Sequence, residues 1–131
     1  MMKATIFVGT GNVALEERPI PKPGPKDVIV KNIRSGICGS DVTGYKFGGK
    51  YVGIGDGAEF GHEMAGVVHE LGSEVKDIPL GMRVFVNPTR AVDNYVKTMM
   101  LGGFSQYVKV VNAKVGYNVR AFSPFSMLIV T

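Results

Sequence analysis

One cysteine and two histidines occur among the 131 residues of this chain, so side chains able to hold a soft metal are few and their placement carries weight. The stretch Gly61-His62-Glu63-Met64-Ala65-Gly66 sets an imidazole and a carboxylate side by side between glycines. The cysteine lies upstream, in Ile37-Cys38-Gly39-Ser40-Asp41. Thiolate, imidazole and carboxylate are the three ligand types that zinc takes in catalytic sites. The reading is that Cys38 and His62 meet in space at one metal, on a scaffold that holds them there. Each residue alone says less. A lone cysteine is most often a small buried hydrophobe, a lone histidine is more often structural than a ligand, and Glu63 alone is compatible with a solvated charge. Gly36 and Gly39 beside Cys38, with polar Ser40 and Asp41 following, argue against a plain core position.

Two glycine-rich stretches imitate phosphate cradles. Gly9-Thr10-Gly11-Asn12-Val13-Ala14 has the spacing of a dinucleotide fingerprint, but that fingerprint needs a helix next to receive the pyrophosphate. Only Val13 to Arg18 separates it from a proline run, so a turn is the better reading. Gly44-Tyr45-Lys46-Phe47-Gly48-Gly49-Lys50-Tyr51 resembles a Walker loop, with Tyr51 in place of the hydroxyl residue that would hold magnesium. It reads as a flexible surface loop.

The elements that must position the candidate residues are mostly short strands. Lys3 to Val8 and Val13 to Arg18 read as a hairpin across Gly9–Asn12. Pro19 to Pro25 is a stiff extended connector, because proline blocks both helix and ladder. Asp27 to Ile37 alternates and reads as a longer strand. Ser40 to Phe47 suits one or two helical turns with Ser40 or Asp41 as N-cap. Gly48 to Gly61 reads as a loop and Glu63 to Leu71 as a strand turning at Gly72-Ser73. Met82 to Val86, Phe104 to Val111 and Lys114 to Val119 complete the strands, and Val92 to Met100 suits a short helix. Many short strands without βαβ alternation point to a mainly β, small barrel-like domain and not a parallel sheet.

Composition agrees. Eighteen glycines and seven prolines favour a turn-rich β architecture, and the length suits one domain with a real core. A single cysteine excludes an intramolecular disulfide and suits a reducing cytoplasm. The net charge of +4 comes from scattered residues such as Lys22, Lys26, Lys31 and Arg34, not from a basic run, so no nucleic-acid partner is expected. No secretory signal and no apolar run of membrane-spanning length is visible, so no membrane partner is expected either. Asp93 is the last acidic residue of the chain.

Taken together, these motifs resemble the zinc-dependent medium-chain alcohol dehydrogenase family, of the threonine, polyol and secondary-alcohol type. Gly61, His62, Glu63, Gly66, Gly72 and Val75 fit every fixed position of its signature G-H-E-x-x-G-x5-G-x2-V, and Cys38 to Asp41 match its C-G-[ST]-D segment. Met2-Lys3-Ala4, Leu15 to Pro21, Gly81-Met82-Arg83-Val84 and Gly103 to Val108 are similar to further family segments, so the likeness runs from residue 2 to about 119. The resemblance implies a GroES-like fold, a partly open β-barrel with a few short helices. It implies that Cys38 and His62 are ligands of a catalytic zinc. Glu63 would be an exchangeable ligand or a carboxylate just behind the ligands. Asp41 would hydrogen-bond His62 and fix its tautomer. Ser40 would pass the alcohol proton towards solvent. The implied substrate is a small alcohol or polyol, and the implied hydride acceptor is NAD or NADP. His69 reads as an exposed strand residue, not a ligand.

The chain departs from the family in two ways. Asn87 to Leu101 lacks the four cysteines of the structural zinc lobe, so no structural zinc is expected. The sequence has no Rossmann fingerprint followed by a helix, and nothing after Asp93 offers a third thiolate or carboxylate ligand. The expectation is a catalytic zinc-binding domain over 1–119 and a divergent tail over 120–131, truncated or altered relative to the family. NAD or NADP should not bind this chain alone, and the domain should be inactive without its nucleotide-binding half. The alternative is a non-catalytic GroES-like remnant that binds zinc or a protein. Phe122, Phe125, Met127, Leu128 and Ile129 add apolar surface, which predicts self-association or partner binding there.

Overall fold

The computed structural model describes residues 1–92 and 99–121. The expected helix over Val92 to Met100 falls largely outside those residues, as does the apolar part of the tail.

The chain opens with a hairpin of β1 (Met2–Gly9) and β2 (Asn12–Arg18), Thr5 opposite Leu15 and Phe7 opposite Val13. The second edge of β1 is shared. β4 (Ala58–Glu59) pairs with Ile6 and Phe7, giving a three-stranded sheet in the order β2-β1-β4. Nearer its start, Ala4 bridges to Ser105, and Gln106 N–H donates to the Lys3 carbonyl at 3.1 Å. Two partners on one edge make β1 the corner between this sheet and a second one.

The second sheet is built on β3 (Val28–Gly36), flanked by β5 (Glu63–Leu71) and β7 (Tyr107–Val110). β6 (Arg83–Val86) pairs with β5, and β8 (Val119–Ala121) pairs with β6, giving the order β7-β3-β5-β6-β8. Every paired ladder between these strands is antiparallel. The two sheets are open and do not close into a complete barrel, and the mainly β, GroES-like architecture stands.

Period-two patterning explains the core. Val28 and Val30 of β3, Met64 and Val68 of β5, and Val108 and Val110 of β7 point to one side, where they are buried together. Burial of this apolar surface is the main favourable contribution to folding. Ile29 is also fully buried, so the start of β3 is covered on both faces. From Lys31 onward most of β3 is exposed. The strand therefore runs out of the core towards Gly36 and delivers Cys38 to the surface.

The one α-helix of the described residues, α1 (Gly39–Phe47), follows at once. Its N-cap is Cys38, not Ser40 or Asp41 as the sequence suggested. Asp41 takes the N3 place of a capping box, where its carboxylate accepts from the Cys38 N–H at 3.0 Å. The Walker-like stretch is not a loop. Gly44 to Phe47 end the helix, and Gly49–Tyr51 form a 3-10 turn with Gly48 and Gly49 buried.

Two strand expectations are shortened. Phe104 to Gln106 lie outside β7: their N–H groups donate to the carbonyls of Phe60, Gly102 and Lys3 of β1, and the Gln106 carbonyl still faces β3, accepting from Asn32 N–H. Lys114 to Asn118 form a turn, not a strand. The buried Asn118 amide organises it, accepting from Lys114 N–H at 2.9 Å and donating to the Arg90 and Val111 carbonyls at 3.0 and 2.8 Å. Arg120 and Ala121 pair with β6 opposite Phe85 and Val84.

Candidate metal centre

The site forms where β3 ends and β5 begins. Gly36 pairs with Glu63, so the residues just past each strand end are drawn together. Cys38 sits at the helix start, and His62 immediately precedes β5. Gly61 makes the entry into β5 possible. Its φ of +92° is a left-handed conformation that L side chains rarely adopt, and a Cβ there would press on the Phe104 ring at 2.6 Å.

The result is a chain of three side chains. Cys38 Sγ lies 3.3 Å from His62 Nε2, and His62 Nδ1 lies 3.2 Å from Asp41 Oδ1. His62 and Asp41 are 7% and 2% exposed, so both work away from bulk water. Nδ1 and Oδ1 face each other, and among the described residues neither atom has another hydrogen-bond partner. Ser40 Oγ lies 2.9 Å from the sulfur. Glu63 Oε1 is 4.0 Å from Nε2, on a side chain 37% exposed.

Electrostatics favour a cationic ring when no metal competes. The Asp41 carboxylate facing Nδ1 raises the His62 pKa, burial works against it, and the negative charges of Asp41, Cys38 and Glu63 add to the rise. The same arrangement suits a metal. Ligand-type atoms of Cys38, Asp41 and His62 all lie within 4.8 Å of one another. In a zinc tetrahedron with ordinary Zn–S and Zn–N bonds, sulfur and nitrogen stand about 3.6 Å apart. The observed 3.3 Å is close to that edge. Asp41 is committed to Cys38 N–H and to the far side of the ring, which is the place of a carboxylate that orients a metal-binding histidine.

The sequence singled out Cys38, Ser40, Asp41, His62 and Glu63, and the structure brings the first four into contact with Glu63 at the edge. His69 is exposed on β5 and packs at a tilt of 55° against Tyr107, with ring centroids 4.9 Å apart. The capping role of Cys38 was missed, although the Cys38-x-x-Asp41 spacing is that of a capping box. Also missed were Asn32 and Ser35, which carry no motif. A cavity of about 240 Å³ beside Glu59 and Tyr107 and a wider one of about 790 Å³ beside Arg90 and Tyr117 touch none of the cluster residues.

Residues 24–119 match the family described as the alcohol dehydrogenase GroES-like domain. The chain is 38% identical over 99 residues to sorbitol dehydrogenase of Gallus gallus, covering 72% of this chain and 28% of that protein. It is 42% identical over 84 residues to an alcohol dehydrogenase of Cupriavidus necator, covering 64% and 22%. It thus spans about a quarter of the length of the curated relatives it matches. Among solved structures, 2R,3R-butanediol dehydrogenase from Bacillus subtilis superposes with a TM-score of 0.74 at 27% identity, covering 95% of this chain and 41% of that one. A zinc-binding dehydrogenase from Sinorhizobium meliloti bound to NADP superposes with a TM-score of 0.71 at 28% identity, covering 95% and 39%. With its strand order, its cysteine at the helix start and its histidine at the strand entry, this chain belongs to the alcohol dehydrogenase GroES-like domain family.

Proposed function

We propose that this domain holds a catalytic zinc through Cys38 and His62 and takes part in hydride transfer between a small alcohol or polyol and NAD or NADP. The observation that carries the proposal is the Sγ···Nε2 separation of 3.3 Å, with Asp41 behind the imidazole. Sorbitol and butanediol dehydrogenases among the relatives support the alcohol or polyol class.

Each residue has a distinct part. Cys38 supplies the sulfur ligand from the N-cap of α1. His62 supplies Nε2, because Asp41 faces Nδ1 and favours the tautomer that carries its proton there. Glu63 is the third donor, exchanging with water or substrate. A bound zinc supplies Lewis acidity, which makes an alcohol hydroxyl easier to deprotonate. Ser40, next to the sulfur, accepts that proton and passes it to solvent. The nicotinamide acceptor is proposed to be held outside this cluster, by a nucleotide-binding domain. A cysteine that must stay unoxidised to bind metal supports a reducing compartment, and the cytoplasm is the proposed location. Phe122, Phe125, Met127, Leu128 and Ile129 are proposed to mediate self-association; a monodisperse monomer in sedimentation at high concentration would remove that part.

The test is metal content after chelator treatment and zinc reloading. Wild type should retain one zinc per chain, and Cys38→Ala with His62→Ala should retain none while staying folded. A folded wild type that retains no zinc sinks the catalytic reading and leaves a protein-binding domain.

A further inference from the structure

Cys38 and His62 arrive from different strands, and the ladder between those strands is irregular just before the site. Register shifts interrupt the β3–β5 pairing between Asn32 and Arg34, so that Asn32 faces Gly66 and Arg34 faces Ala65. On the other edge of β3, beyond the last β7 pair at Lys31 and Tyr107, a side chain continues what the backbone began. Asn32 Nδ2 reaches the Gly103 carbonyl at 2.7 Å, the Ser105 carbonyl at 2.9 Å and Ser35 Oγ at 2.8 Å. Ser35 Oγ then donates to the same Gly103 carbonyl.

Gly103 in turn lies against the His62 segment. Its N–H donates to the Gly61 carbonyl at 2.9 Å. Its Cα is so close to the next peptide that a Cβ would stand 2.9 Å from His62 N and 3.0 Å from Gly61 C. Asn32 and Ser35 belong to the strand that carries Cys38, so they tie that strand to the turn that backs His62.

The chemistry of Asn32 points the same way. Asn118, a structural amide in a remote turn, has its oxygen satisfied by Lys114 N–H. Asn32 Oδ1 is buried and, among the described residues, has no hydrogen-bond partner, so the hydrogen bonds of this side chain are all made by its amide nitrogen.

We infer that Asn32, assisted by Ser35, is a positioning residue for the metal centre: it fixes the 102–105 turn against Gly61–His62 and so sets where His62 Nε2 stands relative to Cys38 Sγ. The cobalt arm of the test rests on the metal reading given above, and the exchange arm does not.

The experiment compares wild type, Asn32→Leu, Ser35→Ala and the control Asn118→Leu in the full chain. Cobalt(II) affinity and the cobalt–thiolate absorption are measured first. Amide hydrogen exchange at Gly103 and the ring resonances of His62 are then followed in metal-free protein. Asn32→Leu should weaken cobalt binding at least about tenfold, the loss usual for a residue that orients a metal ligand. It should also alter the absorption, speed exchange at Gly103 and move the His62 ring resonances. Ser35→Ala should do the same to a smaller extent, and it decides the matter if Asn32→Leu does not fold. Asn118→Leu should lower stability but leave affinity, absorption and the His62 resonances unchanged. Wild-type affinity, absorption and His62 resonances in both site variants would overturn the inference. If wild type itself takes up no cobalt, the metal reading fails, and the metal-free arm decides alone: unmoved His62 resonances overturn the positioning role, and moved ones uphold it.

Discussion

Asp41 serves two neighbours at once. One carboxylate oxygen accepts from the Cys38 N–H and starts the helix; the other faces His62 Nδ1. Asp41→Asn keeps the shape and the cap acceptor but removes the charge behind the ring. Metal affinity should fall about ten- to a hundredfold, measured by chelator competition. The pH dependence follows from the raised His62 pKa. A raised folded pKa stabilises the metal-free protein fully below the unfolded histidine pKa, and the effect is lost as pH rises through the folded value. Wild type should therefore melt above Asp41→Asn in mildly acid buffer, with the gap narrowing as His62 deprotonates. A gap that widens with pH would contradict the Asp41–His62 pairing. In the same pH range protons compete for Nε2, so zinc uptake should weaken on the acid side.

At the scale of elements, the entry into β5 depends on a backbone that only glycine adopts easily. Gly61→Ala should cost about 2 kcal/mol, from the left-handed φ and from the Phe104 ring that its methyl would meet. Zinc uptake should suffer with it, since His62 is the next residue; denaturant unfolding and metal titration would show both. The start of β3 is held differently. Asp27 is buried, and burial alone would raise its pKa. The N–H groups of Asn112 and Gly24, with Lys109 beside it, outweigh that and hold it below the usual carboxylate value. A depressed folded pKa stabilises above the unfolded carboxyl pKa and ceases to do so as pH falls through the folded value. Asp27→Asn should cost about 2 kcal/mol at neutral pH and progressively less in acid. An equal loss at every pH would mean that the charge plays no part.

At the scale of the whole molecule, ligand binding to the folded state should show as thermal stability. Zinc in excess should raise the melting temperature of wild type and leave that of Cys38→Ala with His62→Ala unmoved. NAD(H) and NADP(H) should shift neither, because the acceptor site is proposed to lie in another domain; a clear upward shift with nucleotide would overturn that division of labour. Among the described residues no helix is long and apolar enough to cross a membrane.

Much of this was legible in the residues themselves. Strand β5 was read with the bounds the structure gives it, and β1, β2 and β3 to within a residue or two, because alternation and turn residues are local properties. The choice of Cys38, His62 and Glu63 came from residue type, and the roles of Ser40 and Asp41 came from the family resemblance. Other features depend on partners distant in sequence. Phe104 to Gln106 look like strand but send their N–H groups to Phe60, Gly102 and Lys3 of β1. Lys114 to Val119 looked like strand until the Asn118 amide bonded carbonyls as far away as Arg90. Cys38 was not expected as a helix cap, because sulfur is outside the usual cap residues. The strand-rich fold and the side chains with metal-binding chemistry can be read from the residues in order, because patterning and ligand type are written one residue at a time. That Sγ and Nε2 stand 3.3 Å apart, with Asn32 and Ser35 hydrogen-bonded to the turn behind them, emerges only on folding. Such distances are set by contacts across strands that no stretch of sequence contains.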